Sequence, residues 1–162
     1  HPGFRFNKDL GGGALLDLAT YPLSAALALL GSPLRIVEAS VNGASASEVD
    51  TYGYAVMRTD SSTVVFLEWG YERAYRNSIS IWGEFGSLSS DFVFSKPPDH
   101  SARIRKRNRY GEEEIVVVAE SNSFALMFET FARAVRDEEL RTLLRNEAHL
   151  RAWYLEALRS EV

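Results

Sequence analysis

The stretch GGGALLDLATYPLSAALALLG, Gly11 to Gly31, sets the hardest condition on how this chain folds. It reads as one helix with apolar side chains in nearly every direction: Leu15, Leu18, Ala25 and Leu29 on one side, Leu16, Leu23, Leu27 and Leu30 on another. A helix apolar all round needs cover all round. Yet Asp17 and Tyr21 stand four residues apart, a spacing that puts both on one face of a regular α-helix. Any fold for this chain has to cover that helix and still accommodate a carboxylate and a phenol on it.

The remaining bounds are looser. With 162 residues, 46% of them hydrophobic and 25% charged, the chain is long enough for one ordinary globular domain with a sizeable core. A net charge of -4 gives no reason to expect a nucleic-acid partner. The absence of cysteine excludes disulfides and thiolate chemistry and fits a cytoplasmic location. The longest apolar run, Leu23 to Leu30, falls well short of the ~20 residues of a membrane helix, so no membrane partner is expected. No signal peptide is visible. The chain opens His1-Pro2-Gly3 without an initiator methionine, and we expect it to be a piece of something longer.

Beyond the helix stop at Gly31-Ser32-Pro33 the periodicity changes to that of strands. Arg35–Val41, Asp50–Thr59, Thr63–Tyr71, Asn77–Gly83, Ser87–Phe94, Ala102–Arg107 and Glu113–Ala119 are rich in β-branched and aromatic residues. Asn42-Gly43, Asp60-Ser61-Ser62, Glu84-Phe85-Gly86, Pro97-Pro98-Asp99 and Tyr110-Gly111 supply turns between them. In Thr63–Tyr71, Val65, Leu67, Trp69 and Tyr71 face one way and Val64, Phe66 and Glu68 the other, so both faces carry apolar residues. Helical spacing returns with Phe124, Met127, Phe128, Phe131 and Val135 behind a Ser123 cap. A short turn around Leu140–Leu144 and a last helix, Glu147 to Arg159, follow. The order predicts an α+β fold: a largely antiparallel (mixed) open-faced β-sheet with helices packed on one face. Trp69, Trp82 and their alternate neighbours leave more apolar area than the terminal helices can cover. A homo-oligomer through the sheet face is therefore expected.

Few residues suggest chemistry by themselves. Tyr21 has the phenol that a general acid needs, and Asp17 the carboxylate that orients a hydroxyl. Equally, Tyr21 fits a core aromatic, and Asp17 a residue that satisfies backbone donors near the positive end of the helix dipole. Gly11-Gly12-Gly13 allows close backbone approach to a ligand, or simply a tight entry into a buried helix. No GxGxxG and no phosphate-loop motif is present. Arg103, Arg105, Lys106, Arg107 and Arg109 are followed across a turn by Glu112, Glu113 and Glu114, which reads as a solvated hairpin of cross-strand pairs. His1, His100 and His149 have no metal-ligand spacing, so no metal is expected.

The segment GGGALLDLATYPLSAALALLG resembles the start of the C-terminal domain of the glucose–fructose oxidoreductase/inositol dehydrogenase (Gfo/Idh/MocA) family. Members there carry GGGALLDxGxY or GGGxLxDxGxH, and Asp17 and Tyr21 fall on the acidic and Tyr/His positions. The resemblance continues through YRNSISIWGEFGSLSSDFVFSKPPDH, Tyr75–His100, and SFALMFETFARAVRD, Ser123–Asp137. Tyr21 followed by Pro22 is closest to the Tyr-containing branches: glucose–fructose oxidoreductase, dihydrodiol dehydrogenase and nucleotide-sugar 3-ketoreductase. Ala19 replaces the family's usual glycine. The family's N-terminal nucleotide-binding domain and the lysine of its E-K-P segment have no counterpart here, since Lys8, Lys96 and Lys106 lie in other contexts.

The resemblance implies that residues 1–162 are the C-terminal substrate-binding and oligomerisation domain of an NAD(P)-dependent oxidoreductase acting on a sugar or nucleotide-sugar. Tyr21 and Asp17 would be catalytic, and Arg5, Lys8, Gly12 and Gly13 would face substrate or cofactor. NAD or NADP would be bound mainly by the missing domain, with none held by the fragment, which alone would be inactive. The other reading is a non-catalytic module for sheet-mediated dimerisation or partner binding. A strand followed by GxGxxG upstream in the full-length protein would favour the enzyme.

Overall fold

The computed structural model describes residues 3–31, 33–43 and 48–160. His1, Pro2 and Ser32, named above, lie outside the described residues. Two compact units are present: residues 1–73 with 142–162, and residues 74–141. The fold is α+β, and among the described residues seven strands form two antiparallel sheets of three and four strands.

The first unit is built around the apolar helix. Two 3₁₀ turns, Phe4–Phe6 and Lys8–Leu10, lead into the glycines. The helix is not uniform: Leu15–Ala19 is π-helical, and α1 (Thr20–Leu30) is regular. Strands β1 (Arg35–Asn42), β2 (Tyr52–Arg58) and β3 (Val64–Gly70) pair in that order. Register decides the faces. Ala39, Ala55 and Leu67 align across the three strands, as do Val41, Gly53 and Trp69, and their face packs on the helix. Trp69, expected on a sheet face open to a partner, is a core residue only 5% exposed. The opposite face carries Val64 and Phe66 in solvent.

The core is completed from the far end of the chain. Tyr154 and Leu158, near the end of α3 (Glu138–Ser160), are buried against Leu15, Ala19 and Leu23. The Leu34 amide donates to the Tyr154 hydroxyl at 2.7 Å, which satisfies both groups in the interior. Each fully buried leucine here contributes about 1.5–3 kcal/mol. The apolar helix is nevertheless covered on one side only. Leu16, Tyr21, Leu29 and Leu30 are 41–56% exposed, contrary to the all-round burial its composition requires. Lys8–Leu30 together is long and apolar enough by length and composition to cross a membrane, although its longest apolar run, Leu23 to Leu30, is short. A third of that window is buried inside the fold, as in the core helix of a globular unit.

The second unit contains β4 (Ser78–Gly83), β5 (Gly86–Asp91), β6 (Arg103–Asn108) and β7 (Glu113–Val117), a meander in sequence order. On β6 and β7 the basic run meets its acidic partners as expected: Arg107 pairs with Glu113 at 2.8 Å and Lys106 with Glu114 at 3.3 Å, both exposed. Trp82 is 92% exposed. α2 (Ser123–Arg136) is capped one residue earlier than expected: Asn122, not Ser123, accepts from the amides of Phe124 and Ala125. The turn expected around Leu140–Leu144 is instead the first part of α3, whose start is capped by Asp137 accepting from the Leu140 amide.

Candidate functional site

The site grows out of the three glycines. Gly11 is left-handed (φ 72°) and ends the second 3₁₀ turn. A Cβ on Gly12 would lie 2.6 Å from the Arg5 carbonyl oxygen and 2.8 Å from that of Asn7. Gly13 has φ 126°, and its missing side chain leaves room for the carboxylate of Asp50. That carboxylate accepts from the Leu15 amide at 2.6 Å, while the Ala14 amide donates to the Asp50 carbonyl at 3.0 Å. Asp50 therefore satisfies the helix's first orphan donors, the task that a bland reading gives to Asp17. Burial raises the Asp50 carboxyl above its ordinary value, and the backbone hydrogen bonds oppose that rise.

Asp17 has different partners. Its Oδ2 accepts from Arg5 Nε at 2.7 Å and from the Tyr71 hydroxyl at 3.1 Å. The Tyr71 hydroxyl also lies 3.0 Å from the Gly13 carbonyl oxygen. Burial raises the Tyr71 phenol well above the ordinary tyrosine value. The charge of Asp17 and its hydrogen bond add to the rise, and Arg5 opposes it. Tyr71 thus stays protonated and acts as a donor. Its ring packs on Phe6 with centroids 5.2 Å apart. The hydrogen bond to Asp17, followed by its charge, holds the Arg5 guanidinium firmly protonated; Tyr21 adds a smaller influence of the same sign.

The structure therefore brings Asp17 and Arg5 together and places Tyr21 in the electrostatic neighbourhood of Arg5. Lys8 is exposed on the next 3₁₀ turn and, among the described residues, takes no part in these hydrogen bonds. The π-helical turn lies directly under Asp17, so the simple four-residue spacing to Tyr21 is modified there; such turns concentrate at functional sites. Sequence reasoning did not identify Asp50 or Tyr71 as part of this cluster. Asp50 precedes β2 and Tyr71 follows β3, and the Tyr71 amide donates to the Thr51 carbonyl at 2.8 Å, which ties the two strand ends together. The only available signal is weak: each is a polar residue at the edge of an inward-facing strand pattern.

What this cluster offers is a carboxylate acceptor on a half-open helix face with a phenol nearby. It does not offer a phosphate cradle. Gly12 is packed against carbonyl oxygens and Gly13 against a carboxylate, so the three-glycine turn does not fit the pyrophosphate of a dinucleotide. Among the described residues no group of three or more His, Cys, Asp or Glu is arranged to hold a metal ion.

Residues 1–89 match the GFO/IDH/MocA C-terminal domain. The chain is 37% identical over 133 residues to the dTDP-3,4-didehydro-2,6-dideoxy-alpha-D-glucose 3-reductase of Streptomyces violaceoruber, covering 82% of this chain and 39% of the relative. The reductase of the same name from Saccharopolyspora spinosa is 34% identical over 132 residues, covering 82% and 40%. Among solved structures, KijD10, a 3-ketoreductase from Actinomadura kijaniata in complex with NADP and TDP-benzene, superposes with a TM-score of 0.90. Identity is 28%, over 99% of this chain and 50% of that one. The chain thus spans half or less of the length of these relatives. It belongs to the GFO/IDH/MocA family, in the C-terminal domain of that family.

Proposed function

We propose that the chain is the substrate-side domain of an NADP-dependent oxidoreductase that reduces a keto group on a nucleotide-linked sugar. The observation that carries this reading is the Asp17 carboxylate, held by Arg5 and Tyr71 on the exposed side of an otherwise apolar helix that also bears Tyr21. The names of the relatives supply the substrate class. When bound, a nicotinamide cofactor supplies hydride. This chain's own part is the proton: Tyr21 gives its phenolic hydrogen to the carbonyl oxygen as that oxygen gains charge. Asp17, paired with Arg5, accepts from a hydroxyl and so orients it. Leu16, Tyr21, Leu29 and Leu30 form the side of the helix that a second, cofactor-binding domain would cover in the full-length protein.

The test is direct. Full-length protein mixed with NADPH and a dTDP-linked 3-ketosugar should oxidise NADPH in step with formation of the sugar alcohol. Residues 1–162 alone should do neither, and calorimetry should detect no binding of NADPH to them. No turnover on any nucleotide-linked ketosugar by the full-length protein, or micromolar NADPH binding by the fragment, would count against this reading.

A second property is favoured by a separate observation. The outer face of the three-stranded sheet exposes Phe66 (78%) and Val64 (50%) beside Val56. We propose that this face joins two copies of the chain. Light scattering should give a dimer or larger species, and Phe66→Asp should give the monomer. A clean monomer of the unmutated protein at high concentration would refute the assignment.

A further inference from the structure

The two partners of Asp17 do not divide its carboxylate between them. Arg5 and Tyr71 both donate to Oδ2. Among the described residues Oδ1 accepts no hydrogen bond, and the side chain keeps 28% of its surface in solvent. Tyr71 is itself pinned: its amide is bonded to Thr51, and its ring packs on Phe6. Its single phenolic proton faces two acceptors, Asp17 Oδ2 at 3.1 Å and the Gly13 carbonyl oxygen at 3.0 Å. The Asp17 amide donates to that same Gly13 carbonyl at 3.2 Å. One hydroxyl therefore ties the end of β3 to the glycine turn, to the first turn of the π-helical segment and to the carboxylate.

We infer that Tyr71 is the positioning residue of this site, holding Oδ2 of Asp17 so that Oδ1 is the acceptor presented to a hydroxyl of the reacting sugar. The inference rests on the ketoreductase reading and deepens it. The reacting carbon of a ketosugar bears a carbonyl, which donates nothing; the hydroxyl that Oδ1 accepts from exists once hydride and proton have been added, and in the reverse reaction it is present from the start. The phenol of Tyr71 is held protonated by burial and by Asp17, so it stays a donor. That separates its task from the proton exchange assigned to Tyr21. Arg5 and Tyr71 occupy the same oxygen, and Tyr71, which also lies against the Gly13 carbonyl oxygen, ties that oxygen to the helix entry and leaves Oδ1 to face the substrate.

A double-mutant cycle on the full-length protein tests this, with kcat, KM and melting temperature measured for the parent, Tyr71→Phe, Asp17→Asn and the pair. Phenylalanine keeps the ring contact with Phe6 and removes only the hydroxyl. If Tyr71 acts through Asp17, Tyr71→Phe lowers kcat/KM by about tenfold in the parent but by less than about twofold in the Asp17→Asn background. A structural role gives the same loss in both backgrounds, and that additivity would overturn the inference while leaving the ketoreductase reading intact. Parental kinetics for Tyr71→Phe, or a variant that fails to fold, would overturn it as well. Parental kinetics for Asp17→Asn would remove the role of Asp17 itself, and this inference with it.

Discussion

Replacing Tyr21 with phenylalanine in the full-length protein is expected to lower turnover by roughly 10²–10⁴-fold while the substrate still binds. The substitution keeps the ring, its packing and the helix. Tyr21 is 41% exposed, so losing its hydroxyl should cost on the order of 1 kcal/mol of stability or less. Rate and stability therefore separate. A proton donor loses at least ~2.7 kcal/mol of transition-state stabilisation, more than the packing effect of one oxygen on a half-open helix face. Asp17→Asn keeps the size and removes the charge, and a smaller loss is expected there, shared between KM and kcat. A phenylalanine variant within a few-fold of the parent's turnover would remove Tyr21 from the chemistry.

The second large effect concerns folding. Gly13→Ala is expected to destabilise the protein by about 3 kcal/mol, from two sources. A φ of 126° strains any residue with a Cβ, at a cost of about 1–3 kcal/mol. The new methyl also needs the space that the Asp50 carboxylate fills, so Asp50 must turn away and release the Leu15 amide, a cap worth about 1 kcal/mol. For a chain of this size the sum corresponds to a fall in melting temperature of roughly 6–12 °C. Gly11→Ala is the control: its φ is 72°, but nothing lies within 4 Å of the added carbon, so only the backbone strain remains. Equal melting temperatures for the two variants would show that Asp50 does not depend on the space at residue 13.

The contrast between those glycines shows what could be read from sequence. Three glycines before an apolar run announce a tight helix entry, and the acidic and phenolic positions follow from residue type and spacing. Which glycine faces a carboxylate depends on Asp50, which stands 35 positions beyond Leu15 and arrives only through β1 and β2. Tyr71 reaches Asp17 across 54 positions in the same way. No local periodicity carries that information, because strand register and the Thr51–Tyr71 bond between strand ends create it. The strands themselves were legible to within about three residues at each end, since β-branched alternation marks them clearly. Their division into two sheets was not: the polar stretch from Glu72 to Asn77 contains no glycine or proline to mark the break. The π-helical turn was equally hidden, because Leu15–Ala19 has the composition of an ordinary helix. The unbroken α3 was missed for the opposite reason, as the polar residues near Asn146 imitate a linker although none of them stops a helix.

The core of the first unit draws on both ends of the described chain, since Tyr154 and Leu158 close it over Leu15, Ala19 and Leu23. That arrangement bears on how the protein is made. On a ribosome, Trp69 and its sheet emerge well before Leu158. At ordinary elongation rates the apolar helix then waits roughly 5–20 seconds without its last cover. The second unit is contiguous in sequence and pairs each strand with its neighbour, so it can fold during that interval. A nascent chain halted before Tyr154 should therefore carry a finished meander and an unfinished, adhesive core.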